Sequence, residues 1–222
     1  ASTLSNIGDV YGEVNDNEKA LDYYTRSLAI EDELGRKLRI AHSLNQLGNL
    51  YSDEGDLDKA LDYLERSLKI YKEFSHNRAG MGICFHNIGD IYIAKGDFEK
   101  ALDYFERSLT ISEALGDKYN MGITLGNIGF AYDFKGDYEK ALDYYTRSLD
   151  ISEEIGDKQG KVLGLINIGI TYYNKGDYEK VVEYLVKSQS IKMQIELGTG
   201  IWSATYLYLV YKHLGKEYDE QE

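Results

Sequence analysis

Residues 118–157 read KYNMGITLGNIGFAYDFKGDYEKALDYYTRSLDISEEIGD. Two helical periods lie in this stretch. Met121, Leu125, Ile128, Gly129 and Tyr132 recur at spacings of three and four, which predicts a first helix over about residues 118–135. Ala141, Leu142, Tyr145, Ser148, Leu149 and Ile151 do the same and predict a second helix over about 138–155. Gly136 supplies the stop between them, and Asp137 can cap the second helix. Glu139 falls in the first turn of that helix, where an acid suits the dipole. Gly156-Asp157-Lys158 repeats the punctuation. Gly129 and Ala141 are small, and are expected to let the two helices approach closely. Ser148 is expected where the following first helix crosses.

The same pair of helices recurs along the chain. The glycine of Ile128-Gly129 returns as Gly8, Gly48, Gly89 and Gly169, at spacings of 40, 41, 40 and 40 residues. A tyrosine follows each by three: Tyr11, Tyr51, Tyr92, Tyr132 and Tyr172. Repeats of this length mark a solenoid, in which each repeat buries its apolar face only against its neighbours. The expected fold is therefore an all-α, right-handed superhelix of antiparallel helix pairs. It forms one array over 1–222, with repeats at about 1–35, 36–76, 77–116, 117–156 and 157–197 and a partial sixth at 198–222. The last helix either caps the array or marks a chain cut from a longer protein, and the restart of the second-helix pattern at Glu217-Tyr218-Asp219-Glu220 favours the cut. In every second helix an acid precedes a base by four residues: Asp22–Arg26, Asp62–Arg66, Asp103–Arg107, Asp143–Arg147 and Glu183–Lys187. Such pairs stabilise a helix by ~0.2–0.5 kcal/mol each and mark a solvated face.

Composition narrows the function. The 222 residues include no proline, are 43% hydrophobic and carry a formal charge of −13. That balance argues against nucleic acid and anionic membrane surfaces, both of which select clustered Lys and Arg. No apolar run approaches the ~18 residues of a membrane span, and no signal peptide is visible. The single cysteine, Cys84, permits no internal disulfide and suits a reducing, cytoplasmic compartment.

These repeats resemble tetratricopeptide repeats, whose pattern runs W-x2-L-G-x2-Y, then A-x3-F, then P. The matches are Ile7-Gly8 with Tyr11, Leu47-Gly48 with Tyr51, Ile88-Gly89 with Tyr92, Ile128-Gly129 with Tyr132 and Ile168-Gly169 with Tyr172. The alanine position holds Ala20, Ala60, Ala101, Ala141 and Val181, and the aromatic position Tyr24, Leu64, Phe105, Tyr145 and Leu185. The tryptophan is replaced by Leu4, Leu44, Phe85, Leu125 and Leu165, and the closing proline is absent. The repeat is ~six residues longer than the common one of ~34. In this it resembles the subclass found in Pins/LGN-type adaptors, kinesin light chains and sensor regions of bacterial signalling proteins.

The resemblance implies that the first helices form a concave face holding an extended peptide. Carried onto this chain, the positions are two, three and six residues before the motif glycine, and one, four and five after it. The position two before holds Asn6, Gln46, Asn87, Asn127 and Asn167, then Tyr206. A carboxamide both donates and accepts, so a ladder of them can grip a peptide backbone without reading its sequence. Around the ladder the early repeats offer Asp9, Glu13, Asn49, Asp53 and Asp90. The later ones offer Ile123, Phe130, Phe134, Ile166, Ile170, Tyr173, Trp202 and Tyr206. The expected partner is a protein or peptide with basic and apolar residues. The basic clamp that would hold an acidic chaperone tail has no counterpart.

No catalytic, metal or cofactor site is expected. Cys84 takes a position held elsewhere by the small residues Thr3, Ser43, Thr124 and Gly164, which packing explains. His42 and His86 fall at different repeat positions and do not match a zinc spacing. The expected function is a non-enzymatic interaction module or scaffold. The alternatives are a regulatory sensor region of a larger signalling protein, or a structural module that self-associates through its C-terminal end.

Overall fold

A computed structural model of the protein describes residues 2–74, 77–193 and 212. Among the described residues there are ten α-helices and no strand. The first helices of the repeats are α1 (Ser2–Glu13), α3 (Lys37–Asp53), α5 (Arg78–Ala94), α7 (Lys118–Phe134) and α9 (Lys158–Lys175). The second helices are α2 (Asn17–Glu33), α4 (Leu57–Glu73), α6 (Phe98–Leu115), α8 (Tyr138–Ile155) and α10 (Tyr178–Met193). The chain splits into two compact units, Ala1–Leu115 and Gly116–Glu222. In the first unit each helix from α1 to α6 packs on the next, and α3 also meets α5. In the second, α7 to α10 pack in order, and α7 also meets α9. Every helix thus lies against its sequence neighbour within its unit, which is the nearest-neighbour coupling of a solenoid.

The boundaries follow from caps and stops. Asp137 accepts from the Lys140 amide at 3.4 Å, and Asp16, Asp56 and Asp157 make the same capping bond at the starts of α2, α4 and α9. Each such cap is worth about 1 kcal/mol. Arg36 stands at the cap of α3 and makes no side-chain cap bond. Gly136 closes the link between α7 and α8 at φ +78°, a left-handed conformation that glycine adopts freely. Asn15 fills the corresponding place after α1 at φ +57°, which asparagine tolerates better than other residues with a Cβ.

The motif residues have separate packing tasks. Leu47, Ile88, Ile128 and Ile168, each just before a motif glycine, are at most 2% exposed. The glycine beside them seats a large residue of the second helix. A Cβ on Gly129 would lie 2.8 Å from Tyr145 Cδ1, closer than real Cβ contacts. The same holds for Gly8 on Tyr24, Gly48 on Leu64, Gly89 on Phe105 and Gly169 on Leu185. The expected close approach to the motif alanine is present at Gly48, where the Ala60 carbonyl oxygen lies 3.3 Å from that Cβ position. At Gly129, as at Gly48, the nearest group is the large side chain of the second helix, here the Tyr145 ring.

The motif serines are buried and bond to their own repeat. Ser67, Ser108 and Ser148 donate to the carbonyls of Ala41, Gly82 and Gly122 at 2.6–2.9 Å. These acceptors lie in the first helix of the same repeat, not the following one, because a buried hydroxyl takes the carbonyl that the close crossing offers. Ser67 also approaches Cys84 of the following α5, at 3.3 Å. The motif tyrosines stack across the pair. Tyr11 lies on Tyr23 and Tyr132 on Tyr144, at 5.5 and 5.6 Å between ring centres. Lys19 and Arg26 cover the first stack, and Lys140 and Arg147 the second. All five acid–base pairs of the second helices form, at 2.7–3.8 Å on exposed side chains.

Candidate functional site

In the first unit the carboxamide ladder is engaged within the protein. Gln46 Nε2 on α3 donates to Asp9 Oδ1 on α1 at 2.8 Å and lies 3.4 Å from the Tyr24 hydroxyl. Tyr24 donates to the same Asp9 oxygen at 2.7 Å, and burial with that bond raises its phenol above the usual range. Asn87 Nδ2 on α5 donates to Asn49 Oδ1 at 2.8 Å and to Asn45 Oδ1 at 3.2 Å, both on α3. Each carboxamide therefore reaches back to the first helix of the preceding repeat, and its acceptor there includes the residue just after the motif glycine. Both amide groups use their N–H donors this way and keep an oxygen able to accept. Asn6 on α1 is exposed.

The acids sit beside this network. Asp9, Glu13, Tyr24, Gln46, Asn49 and Asp53 are among the walls of an open trough of about 460 Å³. Three carboxylates converge there. Asp90 on α5 pairs with His86 Nε2 at 3.4 Å, while burial holds the His86 imidazole below its usual value.

The second unit is different. Asn127 on α7 and Asn167 on α9 line a cavity of about 150 Å³ between α7, α8 and α9. Its apolar walls include Tyr119, Ile123, Ile155 and Leu163, all of them exposed. The Asn167 carboxamide makes no hydrogen bond among the described residues, because the place that Asn49 takes for Asn87 is held here by Phe130. Phe130 instead meets Phe134 at 4.5 Å between ring centres, and both rings are exposed. Ile170 is half-buried, and Tyr173, also half-buried, sets its ring edge-on to Tyr178 at 5.7 Å. Asp133, which the sequence reading passed over, accepts from Asn174 at 3.2 Å, and burial holds its carboxyl above the usual range. Asn45 was missed as well. Its acceptor role depends on the register between α3 and α5, which repeat spacing alone does not give.

Trp202 and Tyr206, and with them the C-terminal self-association surface, lie outside the described residues. Among the described residues no group of three or more His, Cys, Asp or Glu side chains is placed to hold a metal. Cys84 is fully buried, and burial pushes its thiol up to about 11, against a smaller opposing effect of the Ser67 hydrogen bond. A neutral, enclosed thiol is a poor nucleophile. No described helix is long and apolar enough to cross a membrane.

Comparison with known proteins agrees with this architecture. No curated protein matches the sequence. Among solved structures, BtubC (BKLC) from P. vanneervenii is 20% identical with a TM-score of 0.76, covering 90% of this chain and 84% of that one. A Rap protein complexed with competence and sporulation factor is 19% identical with a TM-score of 0.81, covering 96% of this chain and 58% of that one. A signal transduction ATPase with a tetratricopeptide repeat sensor, from Pyrococcus horikoshii, is 19% identical with a TM-score of 0.79. That match covers 96% of this chain and 33% of the ATPase. At these identities the likeness is one of fold. The tetratricopeptide repeat model matches residues 1–73, 80–154 and 120–194, and the chain belongs to the tetratricopeptide repeat family.

Proposed function

We propose that the chain is a non-enzymatic protein-interaction module whose first helices hold extended peptide segments. The observation that carries this reading is Asn167. Its carboxamide lines an apolar cavity with its donors and acceptor unused among the described residues, while Gln46 and Asn87 are tied to the preceding repeat. A half-buried carboxamide without a protein partner is suited to pair with a peptide N–H and C=O. The first unit adds a second preference, since Asp9, Glu13 and Asp53 gather around one trough and favour Lys or Arg in a ligand. The single unpaired Cys84 suits a cytoplasmic setting.

A sensor role within a larger signalling protein is the second reading. It is favoured by likeness to the repeat sensor of the ATPase and to the Rap protein, of which this chain spans only 33% and 58%. Both readings put the ligand on the same helices. The test is selection from a random 12-residue peptide library on the purified chain, followed by photo-cross-linking of the selected peptides. Cross-links on α1, α3, α5, α7 or α9 support the proposal. Cross-links confined to the second helices overturn it.

A further inference from the structure

The cavity between α7, α8 and α9 depends on one residue. Gly126 occupies the position three before the motif glycine, where the other repeats carry Ser5, Asn45, His86 and Ile166. A glycine inside a helix weakens it, so the position calls for a reason. Packing does not supply one. A Cβ on Gly126 would meet only Ser148 Oγ, at an ordinary 3.5 Å, whereas three residues further on Gly129 is forced by the Tyr145 ring. What Gly126 preserves is open space of about 150 Å³.

That space has a definite chemistry. Large apolar side chains from α7, α8 and α9, namely Ile123, Ile155 and Leu163, border it and are 39–61% exposed. Asp157, a charged wall residue, accepts from the Gly160 amide as the cap of α9. Apolar cavities of about 150 Å³ are large enough for a benzene ring. The repeat-equivalent cavity at α1, α2 and α3 is about 80 Å³, and its walls include Ser5, Arg39, His42 and the buried carboxylate of Glu31. The two sites have the same helical origin and opposite polarity.

We infer that the α7–α9 cavity is a specificity pocket for one large apolar side chain of a bound peptide, of the size of phenylalanine. The inference rests on the peptide-holding reading above and adds which residue the peptide must carry. The ring enters beneath Ile123 and Leu163, and Asn167 pairs with the backbone beside it. Gly126 sets the selection, because any larger residue there fills the space.

The experiment uses the full chain and N-acetyl-phenylalaninamide as the probe, with N-acetyl-glycinamide and N-acetyl-lysinamide as controls, followed by amide NMR. The phenylalanine probe is expected to shift the side-chain amides of Asn127 and Asn167 and the backbone amides of Gly160 and Gly164. The controls are expected to leave them in place. Gly126→Ile, the residue the next repeat carries at this position, should abolish the shifts with helicity retained, and Gly126→Ala should weaken them if the isoleucine variant misfolds. Peptides selected on the chain should share one large apolar residue, and Gly126→Ile should weaken them between about ten- and a hundredfold. Selected peptides that lack such a residue and bind Gly126→Ile unchanged overturn the pocket and leave the peptide-holding face standing. A probe that fills the cavity when no peptide can be selected overturns the peptide reading and leaves the pocket's chemistry standing. Equal shifts from all three probes overturn the pocket outright.

Discussion

Asn87 Nδ2 donates to Asn49 Oδ1 at 2.8 Å, joining α5 to α3, and Gln46 joins α3 to α1 through Asp9 at the same distance. Asn167 holds the same repeat position, but Phe130 stands where its acceptor would be. One column of carboxamides therefore contains two kinds of residue. Some clasp adjacent repeats, and the Asn167 carboxamide makes no hydrogen bond among the described residues.

That division predicts different consequences for stability. Asn87→Ala removes two hydrogen bonds and takes the Asn87 donor from Asn49, while Asn45 Oδ1 still accepts from the Cys84 thiol at 3.6 Å. At about 0.5–1.5 kcal/mol per bond it should lower unfolding stability by about 1–3 kcal/mol. Asn167→Ala breaks no side-chain bond among the described residues and should stay within about 0.5 kcal/mol of the parent. Urea denaturation followed by circular dichroism measures both. Equal losses would mean that Asn167 has a structural partner after all.

Two glycines one turn apart in α7 should respond to alanine with opposite signs. Gly126→Ala gains helix propensity without a clash and should stabilise by about 0.5–1 kcal/mol. Gly129→Ala drives a methyl against the Tyr145 ring and should destabilise by about 1–3 kcal/mol. Thermal melts of the two single variants suffice. A Gly126→Ala variant that melts lower than the parent would contradict the packing description.

How much of this is legible in sequence depends on the range of the interaction. Helix ends at residues 118, 134, 138 and 155 follow local rules, since Asp117 and Asp137 cap and Gly136 stops the chain. The expected first helix ended at 135, one residue beyond the observed Phe134. Partner identity across helices is less legible. Gly129 marks a close contact in sequence, but only the crossing geometry shows that Tyr145 fills it. Ser148 reads as buried, yet its acceptor, Gly122, is decided by the angle between α7 and α8. The site follows the same division. The ladder of Asn and Gln is visible as a column, whereas the distinction between Asn87 and Asn167 rests on which residue lies opposite in the preceding repeat. Gly126 is an exception among Ser5, Asn45, His86 and Ile166, and it was passed over in the sequence because its meaning emerges only with the cavity.

Alkaline pH should weaken the fold. Burial pushes the Cys84 thiol from 9.0 to about 11 and the Tyr71 phenol from 10.0 to about 12, and raises Tyr24 and Tyr145 as well. These acids ionise earlier in the unfolded chain than in the fold. The unfolded state therefore binds fewer protons above pH ~9, and stability falls with rising pH. The contribution is fully present below the unfolded values and is lost as pH climbs through 9 to 12. The urea midpoint should be flat between pH 7 and 8.5 and decline above, and Tyr145→Phe should make the decline shallower. A midpoint rising from pH 9 to 11 would contradict the burial of these groups.

The central claim is that the second unit holds a peptide through Asn167 beside the α7–α9 cavity. Its most direct measurement is calorimetric titration of one library-selected peptide into the parent chain and into Asn167→Ala. Loss of paired donor and acceptor bonds, at about 0.5–1.5 kcal/mol each, should weaken binding by about five- to a hundred-and-fiftyfold. The melting temperature should not change. Unchanged affinity in Asn167→Ala, or a loss of affinity matched by a loss of helicity, would contradict the account.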